Sequence, residues 1–323
     1  MLDHCKLHPD DNPGRGIIRR NNTIREFQTY LAFAAEKEVE KVEMIRDFVQ
    51  ATNEKNKGIS AAAIPTIPEY VTEEYIMNQY GYDESVYANY SMPFGIRYSG
   101  IQTEFVNLMK ENFISIIGQN ELGRASFVKY MLNHLSMHSG EQPVELYVVD
   151  DVSRELEYVN DWSITKGYTT NQKEVEAMIK VVFEEAKVRY SIMADSSNAL
   201  DSKPLIMLLF NSSLTEDIIG LSQVSVQMHE LLVSKLKGTK VCIMHSNANN
   251  VAINFKSSSA AKLISENSLM VAFEEPKNIK LANVPSAVIR SATKKMEYGD
   301  AYYIKNAAFT KMRMTTNSLE KEK

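Results

Sequence analysis

Apolar residues fall along this chain in two rhythms. Within EKEVEKVEMIRDFVQATNEKNK (36–57), Val39, Val42, Ile45, Phe48 and Val49 share one helical stripe, and Gly58 follows as a stop. The spacing predicts an amphipathic helix packed on one face. The next stretch, AAAIPTIPEYVTEEYIMNQYGYDESVYANYSMPFGI, is interrupted by Pro65, Pro68 and Pro93 and rich in tyrosine. It reads as a connector with short helical pieces. From about residue 91 the rhythm shortens. Residues 105–109 and 113–117 read as two strands around the turn Lys110-Glu111-Asn112. Residues 146–149, 205–210, 241–244 and 269–273 are apolar strands, and 123–138, 171–194 and 222–236 carry helical spacing. Apolar strands alternating with amphipathic helices predict a mainly parallel sheet covered on both faces, an α/β domain over 91–312. The tail 313–323 is expected to be loose.

One internal echo stands out. PGRGIIRRNNTIREFQ near the start matches YGDAYYIKNAAFTKMR near the end in its glycine turn, β-rich run, polar Asn and final Phe. Two readings are open: a second copy of one structural unit, in which 1–35 closes a preceding domain, or chance over a short span.

Composition changes this picture little. Hydrophobic residues are 44% and charged residues 24%, ordinary for a globular chain. No apolar run approaches the ~18 residues a membrane helix needs. The polar start MLDHCKLHPDD is no signal peptide. Cys5 and Cys242 lack partners at metal spacing and read as free thiols in a reducing cytoplasm. His4 and His8 stand i, i+4 in a polar terminus. With a net charge of −5 and only short basic clusters (Arg15/Arg19/Arg20 and Lys294/Lys295), nucleic acid is not the expected partner.

The candidate chemistry lies in FISIIGQNELGRASFV, residues 113–128. Gly118, Gln119, Asn120, Glu121, Leu122, Gly123, Arg124 and Ala125 have the frame of a phosphate loop between a strand and a helix. In such a loop successive N–H groups and a helix N-terminus cradle phosphate. Three chemical groups are replaced. Arg124 stands where a compact Lys charge is wanted, and Ala125 has no hydroxyl for Mg²⁺; Ser126 serves only if the loop is re-registered. At the end of KPLIMLLFNSS, Asn211 and Ser212 occupy the positions of an acidic pair, and an amide cannot act as a general base. Asp150 and Asp151, after another strand, either approach a metal or simply end that strand. His245, Ser246 and Asn247 end the strand 241–244, where α/β sheets gather ligand groups; Asn247 reads equally as a phosphate sensor or a turn residue.

In order, YSMPFGI, FISIIGQNELGR, LYVVDD, KPLIMLLFNSS, GTKVCIMHSN and GDAYYIKN resemble the ATPase domains of the FtsK/SpoIIIE class. More closely, the chain resembles the last of the tandem ATPase domains in the membrane motors of type VII secretion in Gram-positive bacteria. The resemblance implies a RecA-like P-loop NTPase fold, preceded by a helical connector over 36–90 and by the end of another ATPase domain over 1–35. It implies a degenerate ATP site over 118–126 with weak ATP binding and uncertain use of Mg²⁺, at most a weak ATPase. The implied partners are secreted type VII substrate proteins and neighbouring ATPase domains. The implied location is the cytoplasmic side of a membrane complex, with membrane contact only through the rest of the motor. A nucleotide-free pseudoATPase is the alternative, and a DNA translocase fits the acidic balance less well.

Overall fold

In a computed structural model, the described residues are 14–20, 23–30, 33–58, 66–80, 89–195, 199–211, 221–247, 266 and 268–316. Ser212, His4, Cys5 and His8 lie outside them, as do 317–323 of the expected loose tail; its first four residues, Arg313 to Thr316, are instead buried, continuing the last strand. The chain divides into two compact units, Met1–Ile64 and Pro65–Lys323.

The first unit contains a hairpin of β1 (Arg15–Arg20) and β2 (Thr23–Gln28), and helix α1 (Glu38–Lys55). The helical spacing read from the sequence is correct, but α1 buries none of its residues. Val39, Val42, Ile45, Phe48 and Val49 all remain exposed, although Phe33 and Phe48 meet edge to face with ring centroids 5.7 Å apart. Among the described residues, this unit offers the stripe only a two-stranded hairpin, which is too little surface to cover it.

The second unit opens with helix α2 (Glu73–Tyr80), its first turn capped by Thr72 Oγ1, which accepts from the Tyr75 N–H. The sheet strands follow: β3 (Ser91–Arg97), β4 (Thr103–Asn107), β5 (Phe113–Gly118), β6 (Val144–Asp150), β7 (Thr165–Thr169), β8 (Leu205–Asn211), β9 (Val241–Asn247), β10 (Leu269–Phe273), β11 (Asp300–Lys305) and β12 (Ala308–Met314). Between them run α3 (Arg124–Met137), α4 (Gln172–Asp195), α5 (Gln223–Ser234) and α6 (Ser286–Ser291). Among the described residues they form one ten-stranded sheet in the order β4-β3-β12-β11-β10-β5-β9-β8-β6-β7. From β10 to β7 every neighbour is parallel; from β10 back to β4 every neighbour is antiparallel. This is the RecA-like α/β arrangement the sequence predicts.

The strands β5, β8 and β10 are buried at every position because both faces are covered. Alternation sorts their side chains between two cores. Leu205, Met207 and Leu209 join Ile114, Ile116 and Phe127 on the α3 face, while Ile206, Leu208 and Phe210 join Val175, Ile179, Leu232 and Val233 on the face of α4 and α5. Arg189 of α4 is buried and donates to the carbonyls of Pro204, Thr239 and Lys240, fastening that helix across the starts of β8 and β9.

The turn at Lys110–Asn112 does not join a hairpin. It links β4, at the sheet edge, to β5 in the middle, with β3, β12, β11 and β10 between them. The end of the expected connector is part of the second unit: Val71 and Ile76 are buried with Ile96, and Val71 bridges Thr315 just beyond β12.

Candidate functional site

The loop is rooted by two glycines. Gly118 closes β5 at φ 115°, and a Cβ there would stand 2.1 Å from the Phe273 carbonyl oxygen. No side chain fits that approach of β5 to β10, so this glycine is required by packing as well as by conformation. Gln119 donates its N–H to the same carbonyl at 3.0 Å. The chain then makes one 3-10 turn, Asn120–Leu122, and Gly123 at φ 96° hands over to α3. Thus the strand, glycine turn and helix sit where the sequence predicts, at the carboxyl end of a central parallel strand.

Inside the loop the hydrogen bonds close inward. Leu122 N–H donates to Gln119 O at 3.2 Å, and Gly123 N–H donates to Asn120 O at 2.8 Å. These two donors are therefore spent on the turn. The Leu122 carbonyl in turn accepts from Gly299 N–H at 2.9 Å, which pins the loop to the start of β11. The first N–H groups of α3 keep the helix-end polarity that favours an anion.

The side chains tell a different story from the frame. Arg124 is buried, and its guanidinium crosses to the neighbouring strand end. Nη1 donates to Ser246 Oγ on β9, and Nη2 donates to Asn120 Oδ1 at 2.7 Å. Burial lowers its pKa, partly opposed by the carboxylates of Glu155 and Asp151. The one cation of the loop is thus committed to protein atoms. The Arg124 Nε and the Ser126 Oγ are buried with no hydrogen-bond partner. Gln119, Asn120 and Glu121 are exposed, so the Glu121 carboxylate faces solvent. Beside the loop root, Glu274 is buried and accepts from Gln119 Nε2 at 3.2 Å and Asn278 Nδ2 at 3.1 Å. A buried carboxylate at that position opposes a phosphate electrostatically. The glycines supply the frame of a phosphate loop, but the spent N–H groups and the side chains around it do not suit a phosphate.

The strand ends beyond the loop are also satisfied internally. Asp150 accepts from Asn211 Nδ2 at 2.9 Å, Tyr168 OH at 2.9 Å, Leu156 N–H at 2.8 Å and Asp151 N–H at 3.0 Å. This carboxylate ends its strand by organising the following turn. Asp151 accepts from the Ser153 N–H at 2.7 Å and from its hydroxyl. Asn211 is buried and serves as a donor, the opposite of what an acidic residue there would do. Asn247 pairs through its backbone with Ile117.

His245 and Ser246, which the sequence places among strand-end ligand groups, lie within β9 and make contacts inside the protein. Ser246 receives Arg124, and His245 faces His229 with their Nε2 atoms 3.0 Å apart. Both rings are buried against Phe113 and Phe210. Burial pushes the His229 pKa down to about 4 and holds that of His245 well below the usual histidine range, so one neutral ring donates to the other. Cys242, also buried, donates to Glu111 O at 3.2 Å and is held as a thiol by desolvation.

No family model matches the chain. The ESX secretion system protein EccC of Geobacillus thermodenitrificans (strain NG80-2) is 25% identical over 167 residues, covering 51% of this chain and 11% of that protein. The cytoplasmic domain of EssC superposes with a TM-score of 0.63 at 16% identity, covering 95% of this chain and 59% of that one. Thermomonospora curvata EccC (ATPases 2 and 3), solved in complex with a signal sequence peptide, gives a TM-score of 0.56 at 13% identity, with coverages of 96% and 54%. The chain therefore spans less than two thirds of each of these relatives. Among the described residues no helix is long and apolar enough to cross a membrane. In fold the chain is similar to the EssC and EccC ATPase domains, and with its glycine-framed loop it resembles an FtsK/SpoIIIE-type P-loop ATPase.

Proposed function

We propose that this chain is a degenerate ATPase-fold module of a type VII protein secretion motor that acts by docking and coupling rather than by hydrolysis. One observation carries the reading. Arg124, at the position of the phosphate-binding Lys, is buried and bonded to Ser246 and Asn120, while Leu122 and Gly123 donate within the loop. A bound triphosphate would have to displace the contacts that hold both Nη atoms of Arg124 and the two N–H groups of the turn. The missing hydroxyl at Ala125 and the amide at Asn211 remove the usual means of placing Mg²⁺ and activating water.

The partners are then proteins. The EccC structure with a signal sequence peptide supports secreted substrates as one class, and its paired ATPases support neighbouring ATPase domains as another. The β1–β2 hairpin fits the closing element of a preceding domain, because it repeats the register of β11–β12. The module lies on the cytoplasmic side of the motor, reaching the membrane through other parts of it.

The test is ATP titration by calorimetry, with and without Mg²⁺, on the chain and on Arg124→Ala. We expect no binding tighter than about 1 mM in either protein (about −4 kcal/mol), and a lower melting temperature for the variant. Mg²⁺-dependent binding that Arg124→Ala abolishes would instead establish the second reading, a worn but working ATP cradle in which Arg124 swings out to replace Lys. The intact glycine frame is the observation that favours that alternative.

A further inference from the structure

Away from the loop, three side chains with metal-binding chemistry converge where α2 meets α3. His134, in the last turn of α3, and His138, which caps its end, are four residues apart, so both rings lie on one side with centroids 4.5 Å apart. Glu73, the first residue of α2, faces them. Its Oε1 lies 2.9 Å from His134 Nδ1 and 3.9 Å from His138 Nε2. One ligand atom from each of the three residues falls within 4.8 Å of the others, and this is the one such grouping among the described residues.

We propose that Glu73, His134 and His138 form a binding site for a zinc-type divalent cation. Bonds of ~2.0–2.2 Å to tetrahedral zinc place neighbouring donor atoms about 3.3 Å apart. The three atoms need only small side-chain rotations to reach that spacing. Two imidazoles and one carboxylate suit zinc, cobalt or nickel, and do not suit magnesium or calcium, which take all-oxygen shells. The exposure is also right for entry: His134 is 5% exposed, Glu73 19% and His138 29%, so the ion would be gripped from inside and reached from the rim. Three protein ligands leave a fourth position for water. The ion would fasten α2, which precedes the first strand of the sheet, to the helix that begins at Arg124.

The test uses the full chain, stripped with a chelator and titrated with Zn²⁺ by calorimetry, and with Co²⁺ as an optical probe. We expect one equivalent of Zn²⁺ at micromolar Kd and the intense visible bands of a four-coordinate Co²⁺ site. Glu73→Gln and His138→Gln should each weaken Zn²⁺ binding about tenfold or more. His138 is the more exposed histidine, so His138→Gln should keep the metal-free melting temperature of the parent. Binding weaker than about 100 µM would overturn the proposal. So would Zn²⁺ affinity unchanged in His138→Gln, which would assign the ion elsewhere, for instance to His4, Cys5 and His8.

Discussion

The chain contains the same hairpin twice, in opposite surroundings. Arg15 pairs with Gln28 and Arg20 with Thr23 in the first; Asp300 pairs with Arg313 and Lys305 with Ala308 in the second. Each begins at a left-handed glycine, Gly14 at φ 85° and Gly299 at φ 82°. Each glycine carbonyl accepts from the residue after the hairpin's outermost register pair, Thr29 at 2.9 Å and Met314 at 2.7 Å. Even the cross-strand ion pair recurs with its charges exchanged: Arg15 with Glu26 at 3.3 Å, Asp300 with Lys311 at 2.8 Å. What differs is company. β11 and β12 lie between β10 and β3, whereas among the described residues β1 and β2 pair only with each other. Asp300 is buried and also meets Arg313 Nε at 2.9 Å and the hydroxyl of Tyr98 at 2.7 Å, whose pKa is pushed up to about 12 by burial and by that carboxylate. Register and turn are local properties of these sequences; burial, and with it the energetic weight of the same ion pair, is supplied by neighbours.

The most severe way to break the parallel is to copy the first hairpin's polarity onto the second. Asp300→Arg with Lys311→Glu would aim a new cation at Arg313, and should cost more than the ~3–5 kcal/mol expected when a buried pair loses one partner, as with Asp300→Ala. Urea unfolding measures both, and equal stability of either variant with the parent would show that the buried network carries no weight.

Acid should separate the two units next. His229 and His245 lie in the second and are buried neutral, with pKa values below the unfolded histidine value of ~6.5. The contribution of this pair to stability is therefore flat with pH above about 6.5 and falls below it, because the unfolded chain takes up protons that the folded one refuses. For His229, a drop from ~6.5 to about 4 corresponds to about 3 kcal/mol. His229→Phe should flatten that slope in a pH series of unfolding curves; an unchanged slope would remove the pair from the account.

Gly299→Ala should cost about 1–2 kcal/mol for the left-handed backbone, with its Cβ 2.9 Å from the Arg313 Cδ. The same exchange at Gly14 should leave the main unfolding transition in place, since that glycine sits in the exposed hairpin. The smallest effect belongs to Arg15→Asp with Glu26→Lys, which gives the first hairpin the second's polarity. Both side chains are more than a third exposed, so the shift should stay within about 0.5 kcal/mol.

The sequence made some of this visible and hid the rest for physical reasons. β8 and β10 were legible because a strand buried on both faces is an unbroken apolar run. β7, TKGYT, lies at the sheet edge with intermediate and exposed positions, and carries no such signal. β3 is interrupted by Pro93 and by an irregular register at Gly95. The turn at Lys110–Asn112 looks alike locally whether its strands pair or diverge. In the site, the glycine frame could be read directly, since each glycine answers a local demand. The direction of Arg124 could not, because it depends on Ser246, 122 residues further along the chain. The cluster of Glu73 with His134 was hidden in the same way, by a separation of 61 residues.

The amide at Asn211 also constrains what the chain can become. It donates 2.9 Å to an Asp150 carboxylate that already accepts from Tyr168, Leu156 and Asp151. A carboxylate at 211 would face that anion inside the sheet with no proton between them, so one of the two would be driven to stay protonated or the strand ends would part. Acquiring an acid at 211 therefore requires an earlier change at 150, and a change at 150 first dismantles the turn that follows β6. The order of steps is imposed by contact. For this chain, any route to an acid at 211 passes through a less stable intermediate, which a single substitution does not bypass.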